Sequence, residues 1–293
     1  MLTTVTTAFR FLLLSGAATT TLLLGQASRV INVNEPRPLW KALDELEVIV
    51  GSTINYEDPP YQNMADCQDS ATPEQRATQP AGWKLIVPRD GHVTATIQLP
   101  AGGIASQSDV VLGVNLLLAN YREQNLPGDF KVEQANGVVY VTPTRVLGAN
   151  GAVQSVTSPL MTPVTIPNAQ RTFVDTTQAI LNAVQKATGF RIVTGKFPYW
   201  PIQTVTFGAD EEPARDALAR LFAMSAAAPL SYRLVFEPTT DPVRDTDYVL
   251  NVNRTAYVAP MDPPVSTPTI MTQPIPAWQR PEGGPFITKK PPQ

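Results

Sequence analysis

The residues that could do chemistry are few. His92 is the sole histidine, so a Ser-His-Asp or Cys-His relay would have to pass through it. It opens the alternating run "HVTATIQL" at 92–99, where a polar residue at a loop edge is expected instead. No G-x-S-x-G, H-E-x-x-H, Walker or G-x-G-x-x-G sequence is present. Asp210, Glu211 and Glu212 could act as an acid/base cluster. Standing before "PARDALARLFA", however, they read as helix-start charges, with Asp210 the cap and Pro213 in the first turn. Asp241, Asp245 and Asp247 lack the alternation and glycine of a calcium loop and read as turn residues. Cys67, the lone cysteine, excludes an intrachain disulfide and a cysteine-based metal site. In "NMADCQDS" it is expected to be a solvent-facing thiol, the alternative being a bond to another chain. The pattern predicts no catalytic residue, no metal and no cofactor.

Aromatic turns are better candidates for contact. "PPYQ" places Tyr61 beside two prolines, and "FPYWPI" does the same for Phe197, Tyr199 and Trp200. Rigid aromatics supply contact area at low entropic cost. These four are the candidate partner-binding residues, against the alternative that the rings fold back over the first helix of each unit.

The elements that hold these turns recur. A shift of 138 residues superposes Leu43 on Leu181, Gly51 on Gly189, Ile54 on Ile192, Pro60 on Pro198 and Tyr61 on Tyr199. These positions are a helix-face leucine, a cap glycine, a strand isoleucine and a Pro-Tyr turn. Around them the order also repeats. "SRVINVN" is a strand, and "LWKALDELEVIV" has apolar residues at spacings of three and four. After "HVTATIQL", "SDVVLGVNLLLANYREQ" is a helix with Ser108 or Asp109 as its cap, and "FKVEQANGVVYVTP" is a hairpin turning at Asn136-Gly137. "QTVTFGA", "DEEPARDALARLFAMSA" and "YRLVFEPTTDPVRDTDYVLNV" follow the same order in the second half. The predicted fold class is α+β: two tandem β-α-β-β-α-β-β modules with helices on small mixed sheets. Their bounds are 28–147, with a polar insertion at 62–91, and 165–258. The Gly-, Ser- and Pro-containing segment 148–164 reads as a linker able to act as a hinge.

Both ends differ from this middle. Residues 1–27 hold one charge, Arg10, ahead of "FLLLSGAATTTLLLG", and finish in small residues. That is the pattern of a cleaved secretory signal, the alternative being a retained anchor. Residues 259–293 carry ten prolines and no apolar period, and read as a disordered tail able to dock in a partner's groove. The formal charge of −3 becomes −4 once Arg10 leaves with the signal. The chain therefore lacks the basic stripe that nucleic acid requires.

The helices ending at Val50-Gly51 and Thr188-Gly189, the strand "FRIV", the helix "EEPARDALARLFA" and the hairpin "GVVYVTP" resemble the short N-terminal modules of secretins and TonB-dependent receptors, known as STN domains. The resemblance covers roughly 29–145 and 165–253 and departs from the family in that no membrane barrel follows. It implies a free-standing periplasmic or surface pair of modules that binds envelope protein partners through sheet edges and loops, able to form an oligomer. The alternative is a binder of small molecules or glycans, in a cleft between the modules lined by Tyr61, Tyr199 and Trp200.

Overall fold

The computed structural model describes residues 27–100, 105–198, 203–226, 228–238 and 247–255. The signal read at 1–27, all but its last residue, and the proline-rich tail lie outside them, as do Tyr199 and Trp200.

In chain order the first half comprises β1 (Ala27–Pro36), α1 (Pro38–Val50) and β2 (Ile54–Glu57). A 3₁₀ turn at Met64–Asp66, β3 (Cys67–Asp69), α2 (Pro73–Thr78) and β4 (Ile86–Pro88) follow. Then come β5 (Asp90–Leu99), α3 (Gln107–Glu123), β6 (Asp129–Ala135) and β7 (Val138–Leu147). After β8 (Val153–Ser155) and a 3₁₀ turn at Pro159–Met161, the second half runs through β9 (Pro163–Thr172), α4 (Phe173–Thr188) and β10 (Ile192–Thr194). It ends with β11 (Thr204–Pro213), α5 (Ala214–Ala223), β12 (Leu230–Phe236) and β13 (Tyr248–Arg254).

Local chemistry sets these bounds. α1 starts on Pro38, whose fixed φ suits a first turn, and buries Leu39, Ala42, Leu43 and Leu46. It stops at Gly51, in the left-handed region at φ 63°, whose N–H reaches the Glu47 carbonyl at 2.9 Å. α4 is capped by the Thr172 hydroxyl on the Asp175 N–H at 3.0 Å and ends at Gly189, φ 79°. Asn136 and Gly137, both at positive φ, turn β6 into β7 as a type I′ pair does. Two helix starts differ from the sequence reading. α3 is capped at Ser106, two or three residues earlier than Ser108 or Asp109 would set it, because Ser106 and Asp109 form a reciprocal capping box. Asp210, Glu211 and Glu212 do not start α5. They lie in β11, which bulges on either side of Ala209 before running on to Pro213.

The strands assemble in a way the repeat did not disclose. The halves do not keep separate sheets: one mixed sheet runs β10-β13-β12-β2-β7-β6, with β8 added on β7. β2 lies parallel to β7 and β10 parallel to β13, while β6 and β12 return antiparallel. The join is β12 beside β2, parallel, with Arg233 opposite Tyr56 and Leu234 opposite Glu57. Following these directions across the sheet, β10 runs opposite to β2, so the halves are related by a half-turn about an axis along the sheet. Their helices therefore cover opposite faces. Ile54, Tyr56, Val139 and Val141 pack with α1 and α3, whereas Tyr140, Tyr232, Leu234 and Leu250 pack with α4 and α5. Each helix pair is closed on its other side by a two-stranded ribbon, β1 with β5 and β9 with β11.

The segment read as a hinge is built into this body. Val153–Ser155 pairs with β7, and Leu160 is buried in the second core. The 62–91 insertion has its own order. β3 pairs with β4, and Asp69 accepts the Ala71 and Leu85 N–H groups while pairing with Arg76.

Gly189 offers a direct check on the helix stop. A Cβ there meets nothing within 4 Å, so Gly189→Ala adds backbone strain without a clash. The expected loss is about 1 kcal/mol, read as a lower urea midpoint with an unchanged slope.

Candidate functional site

Only two residue positions pair directly across the join, so side chains must complete it. Arg233, on β12, is 1% exposed. Its Nε donates to Asp44 Oδ1 at 2.8 Å and its Nη2 to Glu47 Oε2 at 3.1 Å, both carboxylates standing on α1. Its Nη1 donates to the Ile54 carbonyl and, at 3.0 Å, to the Tyr232 carbonyl. Glu47 also accepts the Ile54 N–H at 3.1 Å and the Ser231 hydroxyl at 2.7 Å. A helix carboxylate and a strand guanidinium from opposite halves thus satisfy the strand end that lacks a ladder partner.

A second cluster closes the other end of the join. Asp58, fully buried, accepts from Arg37 Nε at 2.9 Å, the Tyr56 hydroxyl at 2.7 Å and the Phe236 N–H at 3.0 Å. Its own N–H donates to the Leu234 carbonyl at 2.8 Å. Burial raises the Asp58 pKa, an effect opposed by the Arg37 charge and these hydrogen bonds. For Arg37, burial alone would lower the pKa, but Asp58 and Glu237 carry it upward. A third link crosses the sheet face, where Arg215 of α5 donates to Glu133 of β6 at 2.7 Å with its guanidinium 5.0 Å from the Tyr140 ring centre.

Glu57 is the anomaly of the join. Its Oε1 accepts the Tyr232 hydroxyl at 2.7 Å, but Oε2 finds no partner among the described residues. Nor do the Tyr140 and Thr142 hydroxyls. Desolvation raises the Glu57 pKa. Folding therefore works against ionisation of Glu57, a cost that is absent where the carboxyl is protonated in both states and fully present where it is ionised in both. Arg233, Glu47, Asp58 and Glu57 are buried, and their contacts hold β12 against β2.

The outward-facing chemistry lies at the ends of the sheet. The Val139 N–H points to Thr53 on the β2 side, so the opposed Gln134, and Val132 two residues before it, turn their backbone groups away from β7. At the other end, the Arg191 carbonyl and the Gly195 N–H face β13, which leaves the backbones of Ile192 and Thr194 facing outward. Among the described residues neither edge has a second strand beside it. An open groove of about 480 Å³ lies at the join, with Thr53, Val138, Phe222 and Leu230 among its lining residues.

The sequence candidates fall elsewhere. Tyr61 is 3% exposed, its ring against Phe236 and its hydroxyl 3.4 Å from Asp58. It is therefore part of the join, neither a surface anchor nor a lining residue of the groove, because the buried Asp58 draws it inward. Phe197 is partly buried edge-on to Phe173. Tyr199 and Trp200 lie outside the described residues. His92 Nε2 sits 2.6 Å from Asn32 Oδ1 across the β1–β5 ribbon. Glu212 pairs with Arg220, and Asp247 accepts the Arg191 N–H at 2.9 Å. Cys67 is in a strand and half-buried, not in an exposed loop, and burial pushes its thiol up to about 11. The sequence reading missed Arg37, Glu47, Asp58 and Arg233. The one available signal was Glu47, a charge on the apolar face of α1 between Leu43, Leu46 and Val50.

Among the described residues no group of three or more His, Cys, Asp or Glu side chains is placed to hold a metal, and no helix is long and apolar enough to cross a membrane. Compared with protein-family models, with curated proteins and with solved structures, the chain has no match.

Two substitutions probe the join. Arg233→Met strands Asp44 and Glu47 and is expected to cost about 3–5 kcal/mol in urea unfolding. Glu57→Gln keeps an acceptor for Tyr232 and removes the buried charge. It is expected to stabilise the fold by about 1 kcal/mol at pH 7. That gain should shrink as pH falls from the raised Glu57 pKa into the ordinary glutamate range, and vanish below it, where the wild-type carboxyl is protonated in both states. A constant gain from pH 4 to pH 7 would show that Glu57 is not held against ionisation.

Proposed function

We propose that the chain is an exported, non-catalytic interaction module of the cell envelope, which takes up an extended strand from a protein partner at the β6 edge of its sheet. The observation that carries this reading is the outward backbone of Val132 and Gln134. Together they offer two N–H donors and two carbonyls in a seven-residue strand, the arrangement that strand addition uses. The β10 edge offers the same groups over three residues and is the lesser site. The signal-like leader supports export, and the acidic balance of the chain disfavours nucleic acid. A role as an accessory to a secretion or outer-membrane assembly accords with the STN-like sequence pattern.

Val132→Pro tests the reading. The Val132 N–H points away from β7, so proline removes a donor from the free edge while sparing the internal ladder. Mature wild-type chain, Val132→Pro and Thr194→Pro would be used as bait in envelope extract. Recovery of a specific partner should fall at least tenfold for Val132→Pro, with circular dichroism unchanged, and little for Thr194→Pro. Equal capture by all three baits would refute edge addition at β6.

A further inference from the structure

The groove at the join lies where the last described strand delivers the rest of the chain. β13 ends at Arg254, and Thr255 is pinned on both sides. Its N–H donates to the Pro229 carbonyl at 3.0 Å, and its hydroxyl lies 3.3 Å from that of Thr53. Thr53 and Pro229 are both lining residues of the groove, so the chain leaves Thr255 at the rim. We infer that the groove is the seat of the chain's own segment 256–260, Ala-Tyr-Val-Ala-Pro, and so anchors the start of the proline-rich tail.

The chemistry of the two parts matches. The groove is bounded by Val138, Phe222 and Leu230 with the small side chains of Ala219 and Ala223, which leave room for a ring such as that of Tyr257. Its volume of about 480 Å³ is within the range of pockets that bury a compact group. The exposed Asn136 on its lining can bond the backbone of an extended guest. Pro260 brings no N–H to satisfy, and five extended residues reach roughly 15 Å, so the segment can cross the groove without a loop. Tethering at the rim gives it an effective concentration on the order of millimolar, which a free peptide would have to match. The docked segment would bridge α5 of the second half to the Thr53–Val138 wall of the first.

Hydrogen exchange on the full chain tests this. Three comparison proteins are needed: the chain truncated after Thr255, Ala223→Trp, which fills the groove, and Tyr257→Ala, which removes the ring proposed to occupy it. In the wild type, amides of 256–260 should exchange at least tenfold more slowly than an unstructured peptide. Ala223→Trp and Tyr257→Ala should each abolish that protection. Truncation should speed exchange at 219–226 and 136–138 by a similar factor while α1 and α4 stay unchanged. Free-peptide exchange at 256–260 in the wild type, or identical exchange at 219–226 with and without the tail, overturns the inference. Protection that disappears on dilution places a second copy's tail in the groove and overturns it equally.

Discussion

Arg233 is placed where a guanidinium costs most, in the interior between two halves of a chain, and the rest of the architecture follows from how that cost is met. Moving such a charge out of water is repaid only with good geometry and filled hydrogen-bond capacity. Here Asp44, Glu47 and two backbone carbonyls take its donors. Because Asp44 and Glu47 belong to α1, and the carbonyl of Ile54 to β2, the arginine fixes a helix and a strand of the first half against β12 of the second. Asp58 does the reciprocal work, drawing Arg37, Tyr56 and the Phe236 N–H together. A parallel join of two paired positions would otherwise be a weak point. With these clusters it becomes the centre of a continuous sheet.

The half-turn between the halves has a structural consequence. A sheet covered on the same face throughout would leave its other face open. Alternating the helices lets α5 reach over Tyr140 and Glu133 of the first half, while α1 reaches Arg233 of the second. Each half thus covers part of the other, and the remaining backbone valence is exported to the two ends of the sheet.

Much of the element order was legible because it is written in local rules. The stops at Gly51 and Gly189, the Asn136-Gly137 turn and the alternation of "HVTATIQL" each have a short-range cause that a single sequence displays. The cap of α3 was misplaced because Ser106, Ser108 and Asp109 are all good caps, and only the reciprocal bond between Ser106 and Asp109 decides among them. Asp210 to Glu212 were misread for a related reason: acidic residues before a helical run look like a helix start, and the bulges that carry β11 onward depend on pairing with β9 across about forty residues. The join itself had almost no local signature. For Tyr61 the flanking prolines left an exposed anchor and an inward-packed ring both open, and its position is set by Asp58 and Phe236, the latter 175 positions away in the chain. Contacts at that separation cannot be read from periodicity.

If the Arg233 and Asp58 clusters do what their geometry implies, the two halves behave as one body. Native-state hydrogen exchange in increasing denaturant, followed at the amides of Ile54, Asp58 and Tyr232, measures this most directly. If the Arg233 and Asp58 clusters unite the sheet, these amides should open with the same free energy and the same denaturant dependence as core amides of α1 and α4. Exchange at the join by a smaller, earlier opening, with the two cores then unfolding in separate transitions, would contradict it.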